Sequence, residues 1–262
     1  MFINGQLVGE STSGKGTAIN DNRPFYLGCR CTQVNWAAAK INDFRIYDHT
    51  CSAKEVEEAS RALFVHYKMD NANPNVVYDC SGYKHNATAV GENYISVTNQ
   101  SVRYGLATHF NGSYIRMNDR PSVLPKESIT VNMWVNFSTW GNPISCTEGG
   151  GWNFEEAGGG IRFPIYIASV GYKVAQSTTT SASLKNSWHM LTGTMDSTNV
   201  KIYIDGELAG TTAIGSTNGV GYANNYLFIA AEAAGNQTPP ASIAYRGDIS
   251  DVRIYASALV DK

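Results

Sequence analysis

The segment WGNPISCTEGGGWNFEEAGGG, Trp140 to Gly160, concentrates the side chains best suited to holding a sugar. Sugar recognition needs an aromatic platform for the CH faces of the ring, with amide and carboxylate partners for its hydroxyls. Trp140, Glu148, Trp152, Asn153 and Glu155 supply both kinds of group, Tyr166 and Tyr172 follow, and the glycines between them let a loop approach a ligand. The competing reading packs Trp152 and Phe154 between sheets, with the glycines serving as turn residues.

Other chemistries find little support. GESTSGKGT, Gly9 to Thr17, nearly spells a phosphate-binding loop. Gly16, however, stands where Ser or Thr should hold magnesium, and Pro24 follows where a helix should run, so a hairpin loop is expected. His49, His66, His85, His109 and His189 show no metal-ligand spacing, and there is no GxSxG elbow. No cysteine has a histidine at a spacing that suggests nucleophilic catalysis.

The 20 basic and 22 acidic residues are scattered along the 262-residue chain, which gives no field to draw nucleic acid or an anionic membrane. Five cysteines, Cys29, Cys31, Cys51, Cys80 and Cys146, form neither a disulfide framework nor a CxxC zinc pattern and are expected mostly reduced. MFINGQLVGE has no basic n-region followed by an apolar run, and no stretch approaches the ~20 apolar residues of a membrane span. Neither membrane insertion nor an export signal is therefore expected. The Asn-x-Ser/Thr sequons at Asn86, Asn111 and Asn236 are what an Asn- and Thr-rich composition makes by chance.

The elements that must position the candidate residues are strands. Abundant Gly, Tyr, Thr, Ser and Asn indicate many short strands joined by turns. In ITVNMWVNF, residues Ile129, Val131, Met133, Val135 and Phe137 alternate with Thr130, Asn132, Trp134 and Asn136. VKIYIDG and YLFIAAE, from Val200 and Tyr226, read the same way, and together these strands predict two packed antiparallel sheets.

An internal repeat sets the organisation. FINGQLVG, Phe2 to Gly9, matches YIDGELAG, Tyr203 to Gly210, and INDFRIYD, Ile41 to Asp48, matches ISDVRIYA, Ile249 to Ala256. Asn4-Gly5 and Asp205-Gly206 predict type I′ hairpin turns. The first copy lacks the strand patterns that precede the second, so residues 1–51 read as the closing part of a domain and residues 65–262 as a complete one. Between them, Ser52 to Phe64 predicts a connecting helix, with Ser52 and Glu55 in a capping box and Val56, Ala59 and Leu63 on one face. Strands of the partial copy cannot bury both faces alone, so pairing with another chain is an expected route to oligomers.

The motif order VHYKMDN (from Val65), VVYDCSGYKHNATAVG (from Val76), ATHFNGSYIRM (from Ala107), ESITVNMWVNF (from Glu127), SWHMLTGTMD (from Ser187), VKIYIDGELAG and GDISDVRIYASAL (from Gly247) resembles laminin G-like domains of the concanavalin A-like lectin and glucanase superfamily. The resemblance implies an all-β, two-sheet antiparallel jelly-roll sandwich. DFRIYDHTCSAKEV feeding directly into another domain is similar to tandem modules of bacterial surface proteins and phage tail or virion proteins. This implies a virion or cell-surface location, with a cell-surface glycan or other virion and surface proteins as partners.

Laminin G-like domains often hold calcium at the rim of the sandwich, which needs several converging oxygen ligands. The resemblance therefore makes Asp79 a candidate ligand for Ca²⁺, with Gly82 turning the loop back, Asn86 nearby and Asp248 or Asp251 approaching from the last strand. Against this, Asp79 can cap its own turn with Ser81, and Asp251 can pair with Arg253. Asp43 occupies the place of Asp251 in the first copy, whereas Lys40 replaces Asp248, which suits a structural role for that aspartate.

The superfamily's glucanases carry Glu-x-Asp-x-x-Glu on one strand face, and that motif is absent here. Glu155 and Glu156 are adjacent and would face opposite sides of a strand. Hydrolysis is therefore not expected. The expected role is a non-catalytic carbohydrate- or surface-binding module; the alternatives are a structural protein-contact module or, further off, a glycosidase with two carboxylates converging in a cleft.

Overall fold

Period-two alternation becomes strand over residues 129–137 and 200–204. The computed structural model describes residues 1–3, 6–10, 26–28, 38, 44, 46–47, 50–60, 62–70, 75–91, 95–98, 106–232 and 245–259. Two compact units are present, Met1–Ser60 and Arg61–Lys262.

In the first unit, β1 (Phe2–Ile3) pairs antiparallel with β2 (Gln6–Leu7) in the register Phe2↔Leu7 and Ile3↔Gln6. The Asn4-Gly5 turn between them lies outside the described residues, as do most of GESTSGKGT, Lys40, Asp43 and most of INDFRIYD, His49, Cys29 and Cys31. The helix α1 spans Ala53–Ser60 and starts on the expected capping box. Ser52 N–H donates to Glu55 Oε2 at 2.7 Å, and Glu55 N–H donates to Ser52 Oγ at 3.2 Å. It ends earlier than the pattern predicts, because Leu63 and Phe64 belong to a strand instead.

The second unit holds β3 (Leu63–Tyr67), β4 (Val76–Val77), β5 (Ala87–Val90), β6 (Ile95–Thr98), β7 (Leu106–Asn111), β8 (Tyr114–Met117), β9 (Ile129–Thr139) and β10 (Ile144–Ser145). After these come β11 (Glu155–Ala157), β12 (Gly160–Ile167), β13 (Gly171–Gln176), the short helix α2 (Ser181–Leu184), β14 (His189–Met195), β15 (Asn199–Ile204) and β16 (Glu207–Ala213). The last two are β17 (Phe228–Ile229) and β18 (Arg246–Tyr255). The large sheet runs β16-β15-β14-β9-β18-β7-β6, with β3 also paired to β18. Smaller sheets run β10-β17-β8-β5-β4 and β11-β12-β13, and all of the pairings are antiparallel. The fold is the expected all-β jelly-roll sandwich.

The layers pack through the alternating faces. Ile129, Val131, Met133, Val135 and Phe137 of β9 are all buried, each contributing about 1.5–3 kcal/mol of transfer free energy. They join a single core with Phe163, Ile165 and Ile167 of β12 and Ile115 and Met117 of β8. Gly193 of β14 faces the Phe163 ring so closely that an added Cβ would lie 2.6 Å from it. The β15-β16 hairpin turns on Asp205 (φ 54) and Gly206 (φ 88), both left-handed as a type I′ turn requires. YLFIAAE departs from the alternating pattern: only Phe228–Ile229 pair as a strand, residues Leu227 to Ala231 are all buried, and Ala230 breaks the run at φ 65.

Isolated bridges Ser145↔Asn153 and Trp152↔Ile165 connect the two smaller sheets across residues 152–153. The segment Trp152-Asn153-Phe154-Glu155 therefore alternates like a strand, not a loop. Trp152 and Phe154 point into the core, and Asn153 and Glu155 lie on the opposite face.

Candidate functional site

The outer face of β11-β12-β13 carries a cavity of about 350 Å³, at the small end of the range for ligand pockets. Its floor follows from strand register. Glu155 lies opposite Arg162, Pro164 opposite Val174, and Tyr166 opposite Tyr172, and opposed residues of an antiparallel pair share a face. Glu155, Arg162, Pro164, Val174 and Tyr172 line the cavity together with Asn153 from the bridging segment. Thr147, Glu148 and Gly149 form one wall, and Glu232 closes it from beyond β17.

Hydrogen bonds hold these groups in place. Arg162 donates to Glu155 Oε1 from Nε at 2.6 Å, with Nη2 also at 2.6 Å, and Asn153 Nδ2 lies 3.4 Å from Glu155 Oε2. Glu232 accepts from the Thr147 hydroxyl at 2.7 Å and from Asn142 Nδ2 at 2.5 Å. The wall is pinned by Asn225, whose Nδ2 donates to the carbonyls of Thr147 and Glu148. Glu148 itself sits at φ 81, a backbone region that favours glycine, with its side chain exposed. Tyr172, 45% exposed, donates its hydroxyl to the Gly150 carbonyl at 3.1 Å and meets Tyr166 edge-on at 5.2 Å.

Burial raises the Glu232 carboxyl above its ordinary range, and the charges of Glu155 and Glu148 add to that against the hydrogen bonds from Thr147 and Asn142. Burial likewise raises the Tyr172 hydroxyl, against its bond to Gly150. Cys146, just before this wall, is buried and pushed up to about 12 by burial, which keeps it a neutral thiol.

The structure brings Glu148, Asn153, Glu155 and Tyr172 together in this cavity and leaves the other three sugar-platform candidates outside it. Trp152 is fully buried, with Nε1 donating to the Tyr222 hydroxyl at 3.2 Å, because alternation along its segment turns it inward. Trp140 packs on the core with its ring against Phe137 at 5.1 Å. Tyr166 sits beside the cavity but does not line it, its ring held over Gly221. The glycines serve the fold: a Cβ at Gly150 or Gly151 would meet backbone of residue 221 or 146 at 2.6 Å or less. Sequence reasoning missed Arg162, Thr147 and Glu232. Arg162 was legible as the residue opposite Glu155 once a hairpin over Gly158-Gly159 is drawn; Glu232 reaches the cavity only through tertiary packing.

The calcium candidates meet donors instead. Asp79 Oδ1 accepts from the N–H groups of His66 and Ser81 at 2.8 and 2.9 Å, and Oδ2 from the Ser81 hydroxyl and His85 N–H at 2.7 and 3.0 Å. Asn86 Oδ1 accepts the Asp79 N–H, and Asp248 pairs with His109 at 2.8 Å. Asp251, buried at a bulge of β18 with φ 51, accepts from His66 Nε2 at 3.0 Å and Arg253 Nε at 2.7 Å. Burial would raise its carboxyl, but the His66 and Arg253 interactions outweigh burial and hold it below the ordinary range. As placed, these residues do not fit a calcium ion, which needs converging oxygens free of N–H donors. Among the described residues no group of three or more His, Cys, Asp or Glu is arranged to hold a metal.

Comparison with known proteins agrees with the architecture. The Laminin G family model described as concanavalin A-like lectin/glucanases superfamily matches residues 1–57 and 110–262. No curated protein matches the chain. Among solved structures, the binding domain of Paraclostridial Mosquitocidal Protein 1 is similar at a TM-score of 0.60 and 15% identity, over 76% of this chain and 50% of that one. The receptor binding domain of botulinum neurotoxin mosaic serotype C/D follows at 0.58 and 18% identity, over 76% and 48%. The binding domain of botulinum neurotoxin DC in complex with SialylT gives 0.54 and 15%, over 76% and 49%. The matched part of this chain thus spans about half the length of each, and at these identities the likeness is one of fold. The chain belongs to the concanavalin A-like lectin/glucanases superfamily, in its laminin G-like family.

Proposed function

We propose that the chain is a non-catalytic carbohydrate-binding module of a secreted or surface-exposed protein, with the cavity on β11-β12-β13 as its site. The observation that carries this reading is the cavity's composition: a half-exposed Tyr172 ring stands beside Asn153, Glu148, Glu155 and Glu232, the aromatic face and polar partners that a sugar requires. Support comes from the solved structures of similar fold, which are binding domains of toxins. No helix among the described residues is long and apolar enough to cross a membrane. The tandem-module resemblance favours a phage tail, virion or bacterial surface as the setting.

Binding, not hydrolysis, suits the geometry. Glu155 is clamped by Arg162 and Glu232 by two neutral donors, so neither is poised as a nucleophile. Glycan-array binding of the full chain tests the reading, with Tyr172→Ala as the site variant. The expected result is binding that falls at least about tenfold in the variant, without release of reducing ends. Absence of binding to every glycan overturns the reading in favour of a protein-contact module.

A further inference from the structure

We propose that the cavity selects an unacetylated amino sugar, its ammonium group received by Glu148 and Glu232, over neutral and acidic sugars; this rests on the carbohydrate reading above. Charge makes the first argument. Arg162 is spent on Glu155, which leaves Glu148 and Glu232 without a cationic partner among the described residues. Among the described residues no side chain donates to the Glu148 carboxylate, and Glu232 has only the neutral donors Thr147 and Asn142. Residues 233–244, which follow Glu232 in the sequence, carry no charged side chain.

Hydrogen-bonding capacity makes the second argument independently. Asn153 is 1% exposed and lines the cavity, yet its Oδ1 is buried with no hydrogen-bond partner among the described residues. A buried amide oxygen of this kind is rarely left unmet in a native protein. The neighbouring hydroxyls offer it nothing, since Thr147 donates to Glu232 and Tyr172 to Gly150. The site therefore presents acceptors, and the complementary ligand presents donors: hydroxyls and an ammonium group. An acidic sugar brings another anion to a place already crowded with carboxylates.

The same crowding gives the selectivity a pH signature. The groups facing Glu232 are the carboxylates of Glu155 and Glu148 and the neutral donors Thr147 and Asn142, and its carboxyl is raised by burial first and by those two charges next. A bound cation favours the ionised form, so affinity for the amino sugar falls as pH drops through the Glu232 titration.

The test is calorimetric titration of the full chain with a fully deacetylated glucosamine tetrasaccharide, its N-acetylated counterpart and 3′-sialyllactose. About a tenfold preference for the deacetylated form is expected. Glu148→Gln, at an exposed position that cannot upset the fold, should shrink the preference several-fold, and Glu232→Gln should flatten its pH dependence. Equal or tighter binding of the acetylated or sialylated sugar, still lost in Tyr172→Ala, overturns the amino-sugar selectivity and leaves the carbohydrate reading standing. A preference undiminished in the Glu148→Gln, Glu232→Gln double variant overturns the assignment to these carboxylates. Failure of all three sugars to bind overturns the amino-sugar selectivity, and only absence of binding across the glycan array overturns the carbohydrate reading with it.

Discussion

Two regions of the sandwich are rich in carboxylates, and they treat them in opposite ways. At the rim, Asp79 accepts four hydrogen bonds and Asp251 sits between His66 and Arg253, whose backbone and side-chain donors leave these acids engaged inside the protein. His66 joins the two, its backbone N–H on Asp79 and its ring on Asp251. In the cavity, Glu148 extends from a left-handed backbone position, and the neighbouring Asn153 Oδ1 has no partner among the described residues. Acidic side chains thus hold the fold together where their valences are met from within, and stay available where they are not.

The sharpest way to break this comparison is to remove a rim acid. Asp79→Ala strands donors that now share a charged acceptor, and should cost about 3 kcal/mol, lowering the melting temperature by roughly 6–12 °C without altering sugar binding. If a calcium ion rather than these donors engaged the wild-type rim, adding calcium or a chelator would move the melting temperature by several degrees; no shift is expected. Differential scanning calorimetry reads both.

A smaller effect comes from Asp251. Its folded carboxyl is held below the ordinary value, so the stability it contributes is complete above the unfolded aspartate pKa of about 3.9 and is lost as pH falls through the lower folded value. Asp251→Asn should therefore destabilise the protein by roughly 2 kcal/mol at neutral pH and make acid unfolding less steep below about pH 4. Chemical denaturation across pH 2–7 checks this, and an unchanged acid limb would contradict the structural role.

The smallest expected change in stability separates the regions most cleanly. Left-handed backbone costs an L-residue about 1–2 kcal/mol, and glycine entropy returns part of that on substitution. Glu148→Gly should leave stability unchanged or raise it by up to about 1 kcal/mol while sugar affinity falls about tenfold, a trade of stability for function that no rim substitution should show.

Much of the sandwich was legible because it rests on local rules. Alternation in ITVNMWVNF became the buried face of β9, Asp205-Gly206 became the left-handed hairpin turn, and Ser52 with Glu55 capped α1. The helix was overextended at Leu63 because an apolar residue at helical spacing fits a strand equally well, and pairing with Tyr255 across β3 and β18 decided the matter. Of the two readings open for Trp152, a sugar platform or packing between the sheets, the structure takes the second: the bridges to Ser145 and Ile165 impose strand alternation and turn the indole inward.

From residue order alone came the antiparallel sandwich, the repeat, and four cavity residues, Glu148, Asn153, Glu155 and Tyr172, because alternation, turn chemistry and local clustering of polar and aromatic groups are properties of neighbours in sequence. Only the tertiary structure decided which carboxylates are satisfied and which stay available. That choice depends on donors far away along the chain, as His66 is from Asp251 and Thr147 from Glu232, and no spacing in the sequence encodes which of them meet.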